Sequence, residues 1–296
     1  MKAMKVWAII LTCVFFASLT GFIITAAMTR DEIVRGFRNG VYFTIGDYRE
    51  SAHDVSETFS DNFSHIEIAV VSARTTISIS RDDKARVEYK GSNPAIEFTA
   101  DIRNNTLVIH EKSRPMLFNW GWNSWGSGDL VVEIPAKEYG ELKLSVTSGT
   151  TNAELHAANF TLDTLILKAT SGNITLDLPG YANLQSFEIG ATSGRLNVNG
   201  LSGRGRVKVT SGNVNLTYAD WNDALDVEVT SGNVEIKTPQ NSGADLDFSR
   251  SSGSLKYDLN GDNGKLTGSA TLTVGGHNVR RVWVRVTSGS VSIIDN

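Results

Sequence analysis

The chain has 296 residues, 41% of them hydrophobic and 20% charged, with a formal net charge of −4. That length and apolar content suffice for a sizeable core in one or two domains, and the acidic balance excludes the basic footprint of a nucleic-acid binder. The single cysteine, Cys13, excludes a disulfide framework within the chain.

From the N-terminus, Val6 to Met28 carries no charge; Lys2 and Lys5 precede it, and Arg30, Asp31 and Glu32 follow. An apolar run of at least about 18 residues is long enough to cross a bilayer as a helix. A cleaved signal peptide is the competing reading, but its apolar region spans only about 7–15 residues, and Ala26-Ala27 makes a weak cleavage site. Residues 1–29 are therefore read as an uncleaved transmembrane anchor. Positive charge lies on both sides of it, so the positive-inside rule does not choose an orientation. The N-terminus is placed inside, which leaves the remainder of the chain extracytoplasmic at the cell membrane. Residues 30–58, polar and mixed, read as a juxtamembrane linker.

From Phe63 onward the text becomes period 2, the signal of half-buried strands. The strands expected are Ile66–Val70, Thr76–Ser80, Ala85–Tyr89, Thr106–His110 and Leu130–Ile134, the last ending at Pro135. Between the last two lies Trp120-Gly121-Trp122-Asn123-Ser124-Trp125-Gly126. Three tryptophans spaced by Gly, Asn and Ser read as a loop, either folded over the open end of the β-structure or placed to touch a ligand. Their faces suit sugar rings or the membrane interface, so Trp120, Trp122 and Trp125 are the candidate contact residues.

Beyond Gly140 a series of seven Ser-Gly pairs sets the architecture. Its glycines are Gly149, Gly172, Gly194, Gly212, Gly232, Gly253 and Gly289; Thr precedes six of the pairs, and successive serines are 23, 22, 18, 20, 21 and 36 residues apart. A period of about 20 residues marks a stacked repeat. In one unit, Val207-Lys208-Val209 leads into Thr210-Ser211-Gly212-Asn213 and then Val214-Asn215-Leu216. Val209, Val214, Leu216, Val229, Val234 and Ile236 are expected to face inward. The glycine sits where the chain must bend, a place for positive φ, which Asn173, Asn213 and Asn233 behind it also tolerate. Stacking such units at roughly 4.8 Å builds parallel ladders over one core. The expected fold is thus all-β: a repeat β-solenoid of stacked two-strand coils of about 20 residues over 59–296, behind one N-terminal transmembrane helix. The long gap before Ser288 reads as a degenerate coil with a hairpin insertion, in a capping role.

The strand order from Phe63, the Val-Glu-Ile-Pro strand ending at Pro135 and the repeated Val-Thr-Ser-Gly-Asn-Val together resemble the bacterial putative-adhesin family of β-strand repeat proteins, a domain of unknown function. The resemblance covers roughly residues 60–296. It implies a single-span envelope protein, and it carries over no catalytic residues.

No side-chain constellation names a reaction. The repeated serines are turn hydroxyls, since no His or Asp recurs beside them. The five histidines lack ligand spacing, and Asp258 to Gly264 departs from a calcium loop in the position of its glycine and in lacking the closing glutamate. Asp245 and Asp247 near Arg250 suit a polysaccharide-lyase-like acidic cluster and, equally well, alternating residues on a solvated strand face; an enzyme is not the reading adopted. No catalytic, metal or cofactor site is expected. The function expected is a non-catalytic, adhesin-like or scaffold module. Its partners are the membrane, through the N-terminal helix, and a cell-wall glycan or a membrane protein, with no nucleic acid. The alternative is an accessory or sensory subunit of an envelope-stress system.

Overall fold

The computed structural model describes residues 53–60, 63–91, 93, 96–113, 127–180 and 182–296. Among the described residues there are 23 strands and no helix. In chain order they are β1 (His53–Ser60), β2 (His65–Val70), β3 (Arg74–Ile79), β4 (Lys84–Gly91), β5 (Ile96–Arg103), β6 (Thr106–Ser113), β7 (Asp129–Ile134) and β8 (Glu138–Val146). Then follow β9 (Thr150–Glu154), β10 (Thr161–Ala169), β11 (Asn173–Asp177), β12 (Ser186–Ala191), β13 (Arg195–Leu201), β14 (Arg204–Val209), β15 (Asn213–Tyr218) and β16 (Leu225–Val229). The chain ends with β17 (Asn233–Thr238), β18 (Ser242–Arg250), β19 (Ser254–Leu259), β20 (Asp262–Leu266), β21 (Ala270–Gly275), β22 (Asn278–Val286) and β23 (Ser290–Asp295). The anchor read over residues 1–29 lies outside the described residues. β1 begins within the stretch read as the linker and pairs antiparallel with β4.

The strands form two sheets. One has 12 strands in the order β1-β4-β7-β3-β9-β11-β13-β15-β17-β23-β19-β20, the other 11 in the order β21-β18-β22-β16-β14-β12-β10-β8-β2-β6-β5. Each repeat gives one strand to each sheet, and successive repeats pair in parallel, as β14 does with β16 and β15 with β17. The alternation in the sequence dictates which side chains meet between the sheets. Val209, Val214, Leu216, Val229, Val234 and Ile236 are all buried, as expected. A single repeat has no second layer for these groups; the stack supplies it.

The Thr-Ser-Gly corners stack in register along one edge. Thr170, Ser171 and Asn173 N–H donate to the carbonyls of Val146 (2.9 Å), Thr147 (2.7 Å) and Gly149 (3.0 Å), and the same three bonds recur at every later corner. The role of glycine there differs from the sequence expectation. None of the seven corner glycines has positive φ, nor do Asn173, Asn213 and Asn233. What excludes a side chain is close approach: a Cβ on Gly194 would lie 2.1 Å from Gly172 O, and one on Gly149 would lie 2.3 Å from Ala73 O. Among the described corners one pair of serine hydroxyls meets along this edge, Ser231 Oγ and Ser288 Oγ at 3.1 Å. Beside it runs a longer polar ladder, with Asn233 Nδ2 donating to Asn213 Oδ1 at 3.0 Å and Ser290 Oγ to Asn233 Oδ1 at 2.6 Å.

Spatial order departs from chain order at both ends. The last repeat, β22 and β23, lies between the β16–β17 and β18–β19 repeats. The first, β2 and β3, lies between β6–β7 and β8–β9. The 36-residue gap before Ser288 therefore holds two hairpin arms, β20 and β21, which pair antiparallel to β19 and β18 and close both sheets. At the opposite end β4 and β5 pair antiparallel to β7 and β6, and β1 adds a further antiparallel strand beyond β4. At the C-terminal end the edge strands β20 and β21 are short, five and six residues, which limits the row of unpaired backbone groups that recruits other chains. Asn260 and Gly261, with φ of 50° and 81°, form the tight β19–β20 turn, which is what the Asp258–Gly264 stretch is.

A parallel corner stack has direction: N–H groups point out at one end and C=O groups at the other. Each end is met by an opposite charge. At the β2–β3 corner, Val71, Ser72 and Ala73 N–H all donate to Glu111 Oε2, at 2.8, 2.9 and 3.0 Å, and Ser72 Oγ reaches Oε1 at 3.2 Å. Glu111 is buried on the outermost repeat of that end, and the Tyr89 hydroxyl also hydrogen-bonds it. At the far end, Arg250 Nη1 donates to Gly253 O at 2.9 Å. The pairing of charge with exposed backbone dipoles is the logic of helix capping, applied to a stack of bends.

Candidate functional site

The edge opposite the corners carries bends of unequal length, six residues between β9 and β10 but two between β13 and β14. Unequal bends splay their side chains, and an open groove of about 460 Å³ follows. It crosses five successive repeats, with Glu138, Asp163, Gln185, Ser202 and Asp223 each supplied by the residues at or just before a strand of the 11-stranded sheet. Its walls carry carboxylate, amide and hydroxyl groups, and Asp220 and Asn222 complete one rim. The floor is fixed by backbone bonds, Gln185 N–H to Asp163 O at 2.9 Å and Arg204 N–H to Gln185 O at 2.9 Å. Ser202 Oγ donates to Leu184 O at 3.0 Å, and Asn222 Oδ1 accepts from Gly203 N–H at 2.7 Å. Among the described residues a loose ion pair lies nearby, Arg204 to Asp223 at 3.6 Å on exposed side chains. The groove thus turns carboxylate, amide and hydroxyl groups toward solvent.

Behind this edge lies an aromatic cluster. Tyr218 stacks edge-on against Trp221 (4.7 Å between centroids) and Phe187 (5.9 Å), and Trp221 Nε1 donates to Gly243 O at 2.9 Å. The Tyr218 hydroxyl is buried without a hydrogen-bond partner. Burial, and secondarily the charge of Asp223, pushes its pKa far above the ordinary phenol range.

Of the residues singled out in the sequence, Trp120, Trp122 and Trp125 lie outside the described residues. The strands that lead into and out of their segment are fixed: Glu111 latches β6, and Arg74 N–H donates to Gly128 O at 2.8 Å just before β7. Asp245 and Asp247 alternate along β18, with Thr273 Oγ1 donating to Asp245 Oδ1 at 3.3 Å. Among the described residues no group of three or more His, Cys, Asp or Glu is placed to hold a metal ion.

Sequence reasoning missed the groove, since its residues are scattered over bends of unequal length. It also missed Trp283, which is 39% exposed on the outer face of β22. A signal for that one was present: if Val282, Val284 and Val286 face inward, alternation puts Trp283 outside.

Comparison with known families gives two matches of one model, Toastrack DUF4097, over residues 63–185 and 181–294. No curated protein matches the sequence. Among solved structures, the chain is similar to a putative cell adhesion protein from Clostridium sporogenes, at 12% identity and TM-score 0.41, covering 83% of this chain and 100% of that one. A putative adhesin from Bacteroides fragilis matches at 11% identity and TM-score 0.42, with the same coverage of 83% and 100%. A putative lipid binding protein from Parabacteroides distasonis matches at 13% identity and TM-score 0.32, covering 81% of this chain and 96% of that one.

Proposed function

Starting from a chain that belongs to the Toastrack DUF4097 family, we propose a non-catalytic, membrane-anchored module displayed outside the cytoplasmic membrane, which contacts components of the cell envelope as an adhesin or scaffold. In this reading the two sheets are a β-solenoid and residues 1–29 are its transmembrane anchor. The observation that supports it is the groove. It is open, extended along the stack, and supplied by five successive repeats with hydrogen-bonding groups. That shape suits a long hydroxyl- or amide-rich chain lying across the repeats, whereas small-molecule sites are mostly concave and apolar.

The test has two parts. The full chain with a C-terminal tag is expressed in its host, and intact cells are treated with protease. Digestion of the tag from outside is expected; protection overturns the outward display. Full chain in detergent is then sedimented with purified sacculi from the same host. Wild type is expected to co-sediment, and the variant Asp163→Asn/Asp220→Asn/Asp223→Asn to lose about tenfold in affinity. Absence of wild-type sedimentation overturns the envelope contact, and recovery of a stoichiometric membrane protein instead favours the sensory-subunit alternative.

A further inference from the structure

Trp283 stands on the outer face of the 11-stranded sheet, whose neighbouring outward positions are mostly charged. On its two sides in register stand Asp226 of β16 and Asp247 of β18. One step along the strands, Arg285 lies between Glu228 and Ser249. Arg281 covers the ring from the other direction, with its guanidinium carbon 5.2 Å from the ring centroid. On the Arg285 side, Trp283, Asp226, Asp247, Ser249, Val284 and Arg285 enclose a depression of about 60 Å³. Among the described residues Asp247 and Arg285 have no ion-pair partner, and Asp226 has only a loose one, Arg206 at 3.7 Å.

From this arrangement we infer that Trp283 is a binding platform for a neutral pyranose ring of an extended, equatorially linked glycan. The inference rests on the envelope-contact reading above and names a ligand class and a second contact point for it. Three features choose the ligand. An exposed indole with a guanidinium over one face leaves its other face as a flat apolar surface, which matches the C–H face of a sugar whose hydroxyls are equatorial. The groups around the ring alternate in sign, Asp226 and Asp247 against Arg281 and Arg285, so an ion of either sign meets about as much repulsion as attraction and gains little net electrostatic energy there. A hydroxyl, which donates to a carboxylate and accepts from a guanidinium, uses both. The depression has room for about one hydroxymethyl group, since a water molecule occupies about 30 Å³.

The experiment titrates full chain, in a micelle of a detergent without sugar headgroups, with cellotetraose and with tetra-N-acetylchitotetraose. Binding of at least one is expected, weakened about tenfold or more in Trp283→Ala, about threefold in Asp247→Ala, and little in Trp283→Phe, which keeps a stacking face. Raising salt from about 50 to about 500 mM is expected to change affinity less than about twofold, since no net charge is paired. Equal binding by wild type and Trp283→Ala overturns the platform, as does a steep salt dependence. Should Trp283→Ala unfold, Trp283→Phe and Asp247→Ala carry the decision. Failure of both sugars to bind a chain that still sediments with sacculi overturns this inference alone. Failure of both sugars and of sedimentation overturns the envelope reading with it.

Discussion

The two edges of this molecule are built from the same repeats and behave as opposites. On the Thr-Ser-Gly edge each of the seven Ser-Gly corners has the same length, the same three backbone bonds and a glycine against a carbonyl of the neighbouring corner. On the other edge the bends differ in length, and a groove opens among their side chains. Stacked parallel strands need a fixed register at one end only. Once the corners hold it, the opposite bends are free to vary, and that is where side chains can be spent on a partner. The regular edge therefore holds the fold, and the irregular edge carries the groove on which the proposed envelope contact rests.

The harshest way to break this division is to add one carbon to the regular edge. Gly194→Ala places a Cβ 2.1 Å from Gly172 O and 3.1 Å from Ala169 Cβ, so the stack must part at that step. A loss of about 3 kcal/mol or more is expected in chemical denaturation. Gly268→Ala, with no heavy atom within 4 Å of the new carbon, is expected to stay within about 0.5 kcal/mol of wild type. Equal losses at the two positions would mean that the corner tolerates separation. Ala73 sharpens the point. It occupies the corner place of glycine, yet it is the corner whose N–H groups face Glu111 rather than another corner's carbonyls.

Removing the cap rather than the glycine is the next largest effect. Glu111→Ala leaves three N–H groups of a buried or half-buried corner without their acceptor. About 2–3 kcal/mol is expected to go. Hydrogen exchange at Val71, Ser72 and Ala73 should speed up while the amides of Thr210 and Ser211 keep their protection. Uniform acceleration along the stack would show that Glu111 holds the whole fold and not one end of it.

What could be read from the sequence follows the same line. The strands, the inward valines and the corner stack were legible because each rests on local period 2 or on a repeated tripeptide. The interleaving was not. Val282, Val284 and Val286 present the same apolar face to any parallel neighbour, so alternation does not say that β22 pairs with both β16 and β18. Glu111 was invisible for another reason. Flanked by His110 and Lys112, it looks like a solvated strand residue, and only the fold brings it to residues 71–73. The glycines were found, but for their torsion rather than for the space they leave, because crowding by a residue about 20 positions away has no local signature. The groove depends on bends whose lengths differ, and no period marks them.

The smallest effect concerns the boundary between the variable edge and the core. Tyr218 is the last inward residue of β15, 3% exposed, and its hydroxyl has no partner. Replacing it with Phe removes an unsatisfied polar atom and keeps the ring contacts with Trp221 and Phe187, so stability at neutral pH should be unchanged or rise by up to about 1 kcal/mol. The pH dependence separates this from a simple packing change. The folded-state pKa is raised above the unfolded value of about 10, so the proton is held more tightly in the folded chain. Its contribution is fully present below about pH 10 and is lost as pH climbs above it, at a slope approaching 1.4 kcal/mol per unit. Tyr89, pushed up to about 12 by burial and by the Glu111 charge, adds to the same alkaline limb. Tyr218→Phe should therefore denature less steeply between about pH 10 and 11.5 than wild type, with Tyr89 contributing to the slope that remains. Parallel alkaline limbs would mean that the hydroxyl reaches water through the groove wall, and that the variable edge is open to a greater depth than the buried cluster behind it suggests.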